Sequence, residues 1–212
     1  MDEDIEIINQ NTRKEKIKNY FLINSKKIIF IFISFIILIF IYFIFLEIKK
    51  NKKNRIADNY NTIIVQYQSN KNQQIKDELI DIINTHDKTY SPLALYFIID
   101  NEIIKEKALV NELFDKVIEN TKINNEIKNL IIYKKALFNS ENLSENELLS
   151  LLKPIINSSS IWKSHSLYLI SEYFYSKNEK TKSKEFLNQI VNLENPNTNI
   201  KIEAQKKLNR DF

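Results

Sequence analysis

Residues 163–196 read KSHSLYLISEYFYSKNEKTKSKEFLNQIVNLENP, and their spacing sets the expected fold. Two amphipathic segments lie in this stretch, with apolar side chains at i, i+3, i+4 and i+7, split by Lys177-Asn178 and closed by Asn195-Pro196-Asn197. Shifting the chain by 35 residues places Ile132 on Leu167, Tyr133 on Tyr168, Ala136 on Ser171, Leu152 on Leu187 and Ile155 on Ile190. A period of that size means one helix–turn–helix unit repeated, each burying its apolar face on the next.

Working outward, the same plan predicts helices over 50–69, 72–85, 91–105, 107–120, 124–140, 144–157, 161–177, 180–193 and 198–209. Ser91-Pro92 offers a capping hydroxyl ahead of Pro in the first turn, and Ser144-Glu145-Asn146-Glu147 fits a capping box. Pro154 is expected to bend or end its helix. An all-α chain also agrees with the composition. Gly 0 removes the residue that most readily supplies β-hairpin turns and phosphate-cradling loops, and Cys 0 removes disulfides, thiol nucleophiles and Cys-ligated metals. A net charge of +4 is too small to argue for nucleic acid. The abundance of Ile, Asn, Lys, Phe and Tyr resembles A+T-rich coding, so any single one of them carries less meaning than usual.

Residues 28–46, IIFIFISFIILIFIYFIFL, carry no charge. As a helix they span roughly 28 Å, close to the hydrocarbon thickness of a bilayer. The following Glu47-Ile48-Lys49-Lys50-Asn51-Lys52-Lys53 offers no small-residue cleavage site, so an uncleaved signal anchor is expected. Six cations precede the run and five follow it, which leaves orientation open by charge alone. The organisation predicted is a tail over 1–27 with an amphipathic stretch Glu15–Phe21, a transmembrane helix over 28–46, and a helical-repeat domain over 47–212. Lys49 to Arg55 suits anionic headgroups, making membrane lipid one expected partner; contact with a membrane protein is the other reading.

The unit Leu167, Ile170, Ser171, Phe174, Asn178, Ser183, Leu187, Ile190 and Pro196 resembles a degenerate tetratricopeptide repeat. Ser171 and Ser183 stand where that motif prefers Gly and Ala, and Asn178 stands at its turn Gly. The resemblance implies an α-solenoid whose first helices line a groove, with His165, Tyr168, Glu172 and Tyr175 facing it and Tyr133 one repeat earlier. Tyr suits adaptable peptide contacts, although coding bias alone could place it at half-buried positions. Trp162 is either a binding anchor or a packing residue against the preceding unit.

The whole layout, an acidic tail (Asp2, Glu3, Asp4, Glu6), an amphipathic stretch, one anchor and about 160 residues of repeat, is similar to the ancillary SecYEG translocon subunit family (YfgM-like). Thr89-Tyr90 with Leu93-Ala94, and Trp162 opening the last pair, are similar to that family's landmarks. The resemblance implies a single-pass inner-membrane protein, N-terminus cytoplasmic and repeat domain periplasmic. It also implies a non-catalytic scaffold for the SecYEG translocon, periplasmic chaperones or emerging polypeptides. A structural subunit or assembly factor of another cell-envelope complex has the same appearance.

No catalytic, metal or cofactor constellation is read from the residues. His86 and His165 lie in different helix pairs without metal-ligand spacing, and no Gly-flanked nucleophile turn exists. Glu145 and Glu147 are better placed to cap a helix than to exchange protons. Neither an enzyme nor a small-molecule substrate is expected.

Overall fold

A computed structural model describes residues 13–16, 18–70 and 75–212. Among the described residues all regular structure is helical. The elements are α1 (Ser25–Asn70), α2 (Ile75–Asn84), α3 (Tyr90–Asp100), α4 (Lys107–Asn120), α5 (Asn125–Asn139), α6 (Glu145–Ile156), α7 (Lys163–Ser176), α8 (Lys180–Val191) and α9 (Thr198–Asp211). The chain divides into two units at Arg55/Ile56.

In the first unit, residues 13–16 and 18–23 are helical, and α1 then carries the uncharged run. Its large apolar side chains from Ile29 to Leu46 are exposed, and the helix is long and apolar enough to cross a membrane. The acidic residues Asp2 to Glu6 lie outside the described residues. A separate helix over 50–69 was expected; instead α1 continues unbroken from the apolar run to Asn70. Nothing between Leu46 and Ile56 stops a helix, since neither Gly nor Pro occurs there and Lys and Glu are good helix formers.

The second unit, Ile56–Phe212, is a stack of helix pairs. From α2 on, each helix packs on its chain neighbour, and α2 with α4, α5 with α7 and α7 with α9 also touch. The repeat shows directly in the polar contacts between units. Ser160 Oγ donates to Glu126 Oε2 across 34 positions, Lys134 Nζ to Asp100 across 34, and Lys207 Nζ to Glu172 across 35. Three apolar clusters run along the stack, from Ile56, Ile63, Leu79 and Phe114, through Ala136, Leu152 and Phe174, to Leu187, Ile190 and Ala204. Ala136, Ser171 and Ser183, which the 35-residue shift and the repeat resemblance marked as small positions, are each 0 % exposed. Their size lets helix backbones come close.

The turns explain the helix boundaries. Asn178 has φ 62°, and the Glu179 N–H reaches back to the Phe174 carbonyl at 2.8 Å, so Asn supplies the left-handed turn in place of Gly. Glu102 does the same at φ 50°, with the Ile103 N–H on the Ile98 carbonyl, which ends α3 at Asp100 rather than at the expected 105. The Ser144–Glu147 capping box forms as expected, and Asn197 caps α9 by accepting from the Ile200 N–H.

One expectation needs correcting. Ser91 does not cap its helix: Asp87 Oδ1 accepts from the Thr89 and Tyr90 N–H groups at 2.8 and 2.9 Å and starts α3 earlier. The Ser91 hydroxyl is buried and points to the Ile82 and Ile83 carbonyls, closing the end of α2. Pro154 lies inside α6, which runs on to Ile156, one residue short of the expected 157. Its missing N–H removes one ladder bond, to the Ser150 carbonyl, two residues before the helix ends.

Candidate protein-binding groove

The first helices of successive pairs, α3, α5 and α7, present the residues expected to line a groove. All five candidates are half-buried, and they fall into two groups. The first joins Tyr133 on α5 with His165 on α7, their rings 5.9 Å apart and edge-on. Trp162, just ahead of α7, completes it. Its ring stacks on Tyr133 at 6.1 Å and 18° and lies 5.2 Å from His165. Trp162 therefore packs on the preceding unit, the second of its two sequence readings, while the residue stays only half-buried.

The second group is engaged within the chain. Lys207 on α9 bonds Glu172, and its ammonium sits 4.0 Å above the Tyr175 ring, while Phe212 meets Tyr175 edge-on at 5.9 Å. Burial and then the neighbouring Glu172 carboxylate push the Tyr168 phenol up from its ordinary value. The 6 % exposure of Lys207 means that its aliphatic stem is sealed in this contact. Half of the expected groove thus meets the chain's own last helix.

An analogous arrangement sits two units earlier. Lys134 bonds Asp100 at 3.2 Å and lies 4.7 Å over the Tyr96 ring. Burial, assisted by Asp100, pushes the Tyr96 phenol up to about 12. A first-helix lysine that spans a tyrosine and a carboxylate on the preceding first helix is therefore used twice along the stack.

The open part of the face is apolar. Ile161 is 68 % exposed beside Trp162, and Leu137 is 50 % exposed one turn beyond Tyr133. Burial also pushes the His165 imidazole below 6.5, opposed by the nearby Ile161 carbonyl, so the ring is neutral at neutral pH. Tyr133 is raised by burial. The cluster offers aromatic faces, two aliphatic groups and no charge of its own, which suits an apolar side chain of another polypeptide.

Sequence reasoning missed Leu137, Ile161, Lys134 and Lys207. Leu137 could have been found from its i+4 spacing to Tyr133, and Lys207 from the 35-residue step beyond Glu172. Ile161 gave no periodic signal, because it stands in a turn. His86 lies in the exposed turn before α3 with φ 52°, far along the chain from this cluster. Among the described residues no group of three His, Asp or Glu side chains is placed to hold a metal.

The fold defines an all-α helical-repeat protein with one candidate membrane-spanning helix. Set against protein-family models, curated proteins and solved structures, the chain matches none.

Proposed function

We propose that this chain is a membrane-tethered scaffold whose repeat unit binds other proteins, without catalysis, through the face built around Tyr133, Trp162 and His165. The observation that carries the reading is that aromatic cluster, with exposed Ile161 and Leu137 beside it, on a stack of helix pairs. Buried-edge aromatics flanked by aliphatic side chains are the usual anchors of a protein contact. Tethering raises the local concentration of a weak partner at the membrane. The layout's similarity to the ancillary SecYEG subunit family supports the translocon, periplasmic chaperones or emerging polypeptides as partners. It also supports an inner-membrane location with the repeat unit periplasmic.

The test is crosslinked co-purification from native membranes, comparing the full chain with a version carrying a foreign anchor. Translocon subunits recovered with both, and lost on Trp162→Ala with Ile161→Ser, is the expected result. Recovery of a different envelope complex would remove the Sec assignment, and recovery unaffected by the double substitution would remove this face.

A further inference from the structure

Residues 18–23 are helical, as is α1 from Ser25, but a turn at Asn24 separates the two. Its cause is local. The Asn24 side-chain amide and backbone N–H both donate to the Tyr20 carbonyl at 3.0 Å, and Asn24-Ser25 is a pair of weak helix formers. The interruption falls four residues before the uncharged run begins at Ile28.

Before the turn lie four consecutive large side chains with apolar bodies. Tyr20, Phe21, Leu22 and Ile23 are 64, 55, 64 and 83 % exposed. Being consecutive, they cover a full helical turn, so no rotation of the helix hides them from water. Arg13, Lys14, Lys16, Lys18, Lys26 and Lys27 flank them, all exposed, and Glu15 is the only acid between positions 13 and 27. The tail acids Asp2, Glu3, Asp4 and Glu6 precede Arg13 by seven residues or more, so positive charge is gathered next to the apolar side chains.

Length decides what covers this surface. With Ile28 to Leu46 in hydrocarbon, a straight helix would carry Tyr20 about 12 Å beyond it, whereas the headgroup layer on each side is only about 5–8 Å thick. Tyr20 and Phe21 would then stand in water. Interrupted at Asn24, the segment is free to turn along the bilayer. There its rings and aliphatic groups reach the boundary between headgroups and acyl chains, and its ammonium groups meet phosphates.

We propose that residues 13–23 bind the anionic lipid surface of the leaflet where α1 begins, with Asn24 as the corner between a segment along the membrane and a helix across it. The proposal rests on α1 crossing the bilayer, because that brings the segment to the headgroups. Lipid is the occupant because the anchor leaves these residues at a bilayer surface in any membrane, and their charge is opposite to that of anionic headgroups.

The chain has Cys 0, so a single introduced thiol takes a label unambiguously. The full chain, carrying an environment-sensitive dye at Phe21→Cys, is reconstituted in vesicles of phosphatidylcholine alone or with about one-third phosphatidylglycerol, and quenching by neutral aqueous acrylamide is measured. The expected result is about threefold or more protection in the anionic vesicles, lost when Lys14, Lys16 and Lys18 are all replaced by Gln. These side chains are exposed and lie outside the second unit, so its folding is not the confounder. A label at Ile37→Cys checks the anchor separately. Quenching there in both vesicles takes the anchor reading and this proposal together. Protection at Ile37 with equal access at Phe21 in the two lipids overturns this proposal alone, as does protection that survives the Lys→Gln changes. Access at Phe21 in anionic vesicles but protection in native membranes also overturns it, and makes the occupant a membrane protein.

Discussion

Replacing Ser183 by Ala should stabilise the protein. Ser183 is 0 % exposed in the first turn of α8, where that helix packs on α7, and its hydroxyl is buried with no partner among the described residues. An orphaned buried polar group costs about 1–3 kcal/mol of desolvation, and Ala adds a few tenths through helix propensity. Losing one small oxygen from the contact offsets part of this, so the net gain is about 1–2 kcal/mol. For a domain of this size each kcal/mol raises Tm by about 2–4 °C. The assay is urea unfolding of the full chain in detergent, followed at 222 nm; the midpoint should rise with an unchanged m-value.

Ser91→Ala is the matched comparison. Its hydroxyl is equally buried but reaches the Ile82 and Ile83 carbonyls at 3.1 Å, so the same substitution there should cost about 1 kcal/mol. The opposite signs are the essential result. A loss of stability in Ser183→Ala would mean that its hydroxyl is bonded, and the argument for it as an orphan would be wrong.

Other substitutions test separate parts of the structure. Phe174→Ala should cost about 3–5 kcal/mol, because the ring is 1 % exposed and stacks on Phe186 at 5.6 Å; a smaller loss would show that α7 and α8 collapse onto the space. Asn178→Val should cost about 1–2 kcal/mol at φ 62°, whereas Asn178→Gly should be neutral or better, both read from urea midpoints. His165 should titrate below 6.5 by imidazole NMR. With its folded value depressed, its contribution to stability is present above 6.5 and is lost as pH falls through the folded value; titration at or above 6.5 would contradict the burial of that ring. The Ser144 capping bonds lower the Glu147 carboxyl below 4.5, so their contribution is present above that pH and disappears on further acidification. Glu147→Gln should flatten that part of the acid limb.

Much of the helical layout was readable because helix ends are local chemistry. Asn178, Ser144 and Asn197 act within four or five residues of themselves, and they set the turn between α7 and α8 and the starts of α6 and α9. Where a residue's role depended on a neighbour distant in sequence, local reading misled. Ser91 has the type and position of a cap, yet two carbonyls from α2 claim its hydroxyl and leave capping to Asp87. The expected break after Leu46 rested on a change in polarity, which alters what a helix faces without interrupting its ladder.

The candidate groove divides along the same line. Period and residue type were enough to place Tyr133, His165, Tyr168, Glu172 and Tyr175 on related first helices. They could not show that α9 brings Lys207 and Phe212 onto Tyr175 while Tyr133, Trp162 and His165 gather beside an exposed Ile161. Apolar periodicity and local turn chemistry determine that this chain forms stacked helix pairs after one long apolar helix. Which half-buried side chains remain open to a partner is decided only when the helices meet, because exposure belongs to a packed neighbourhood and not to a residue.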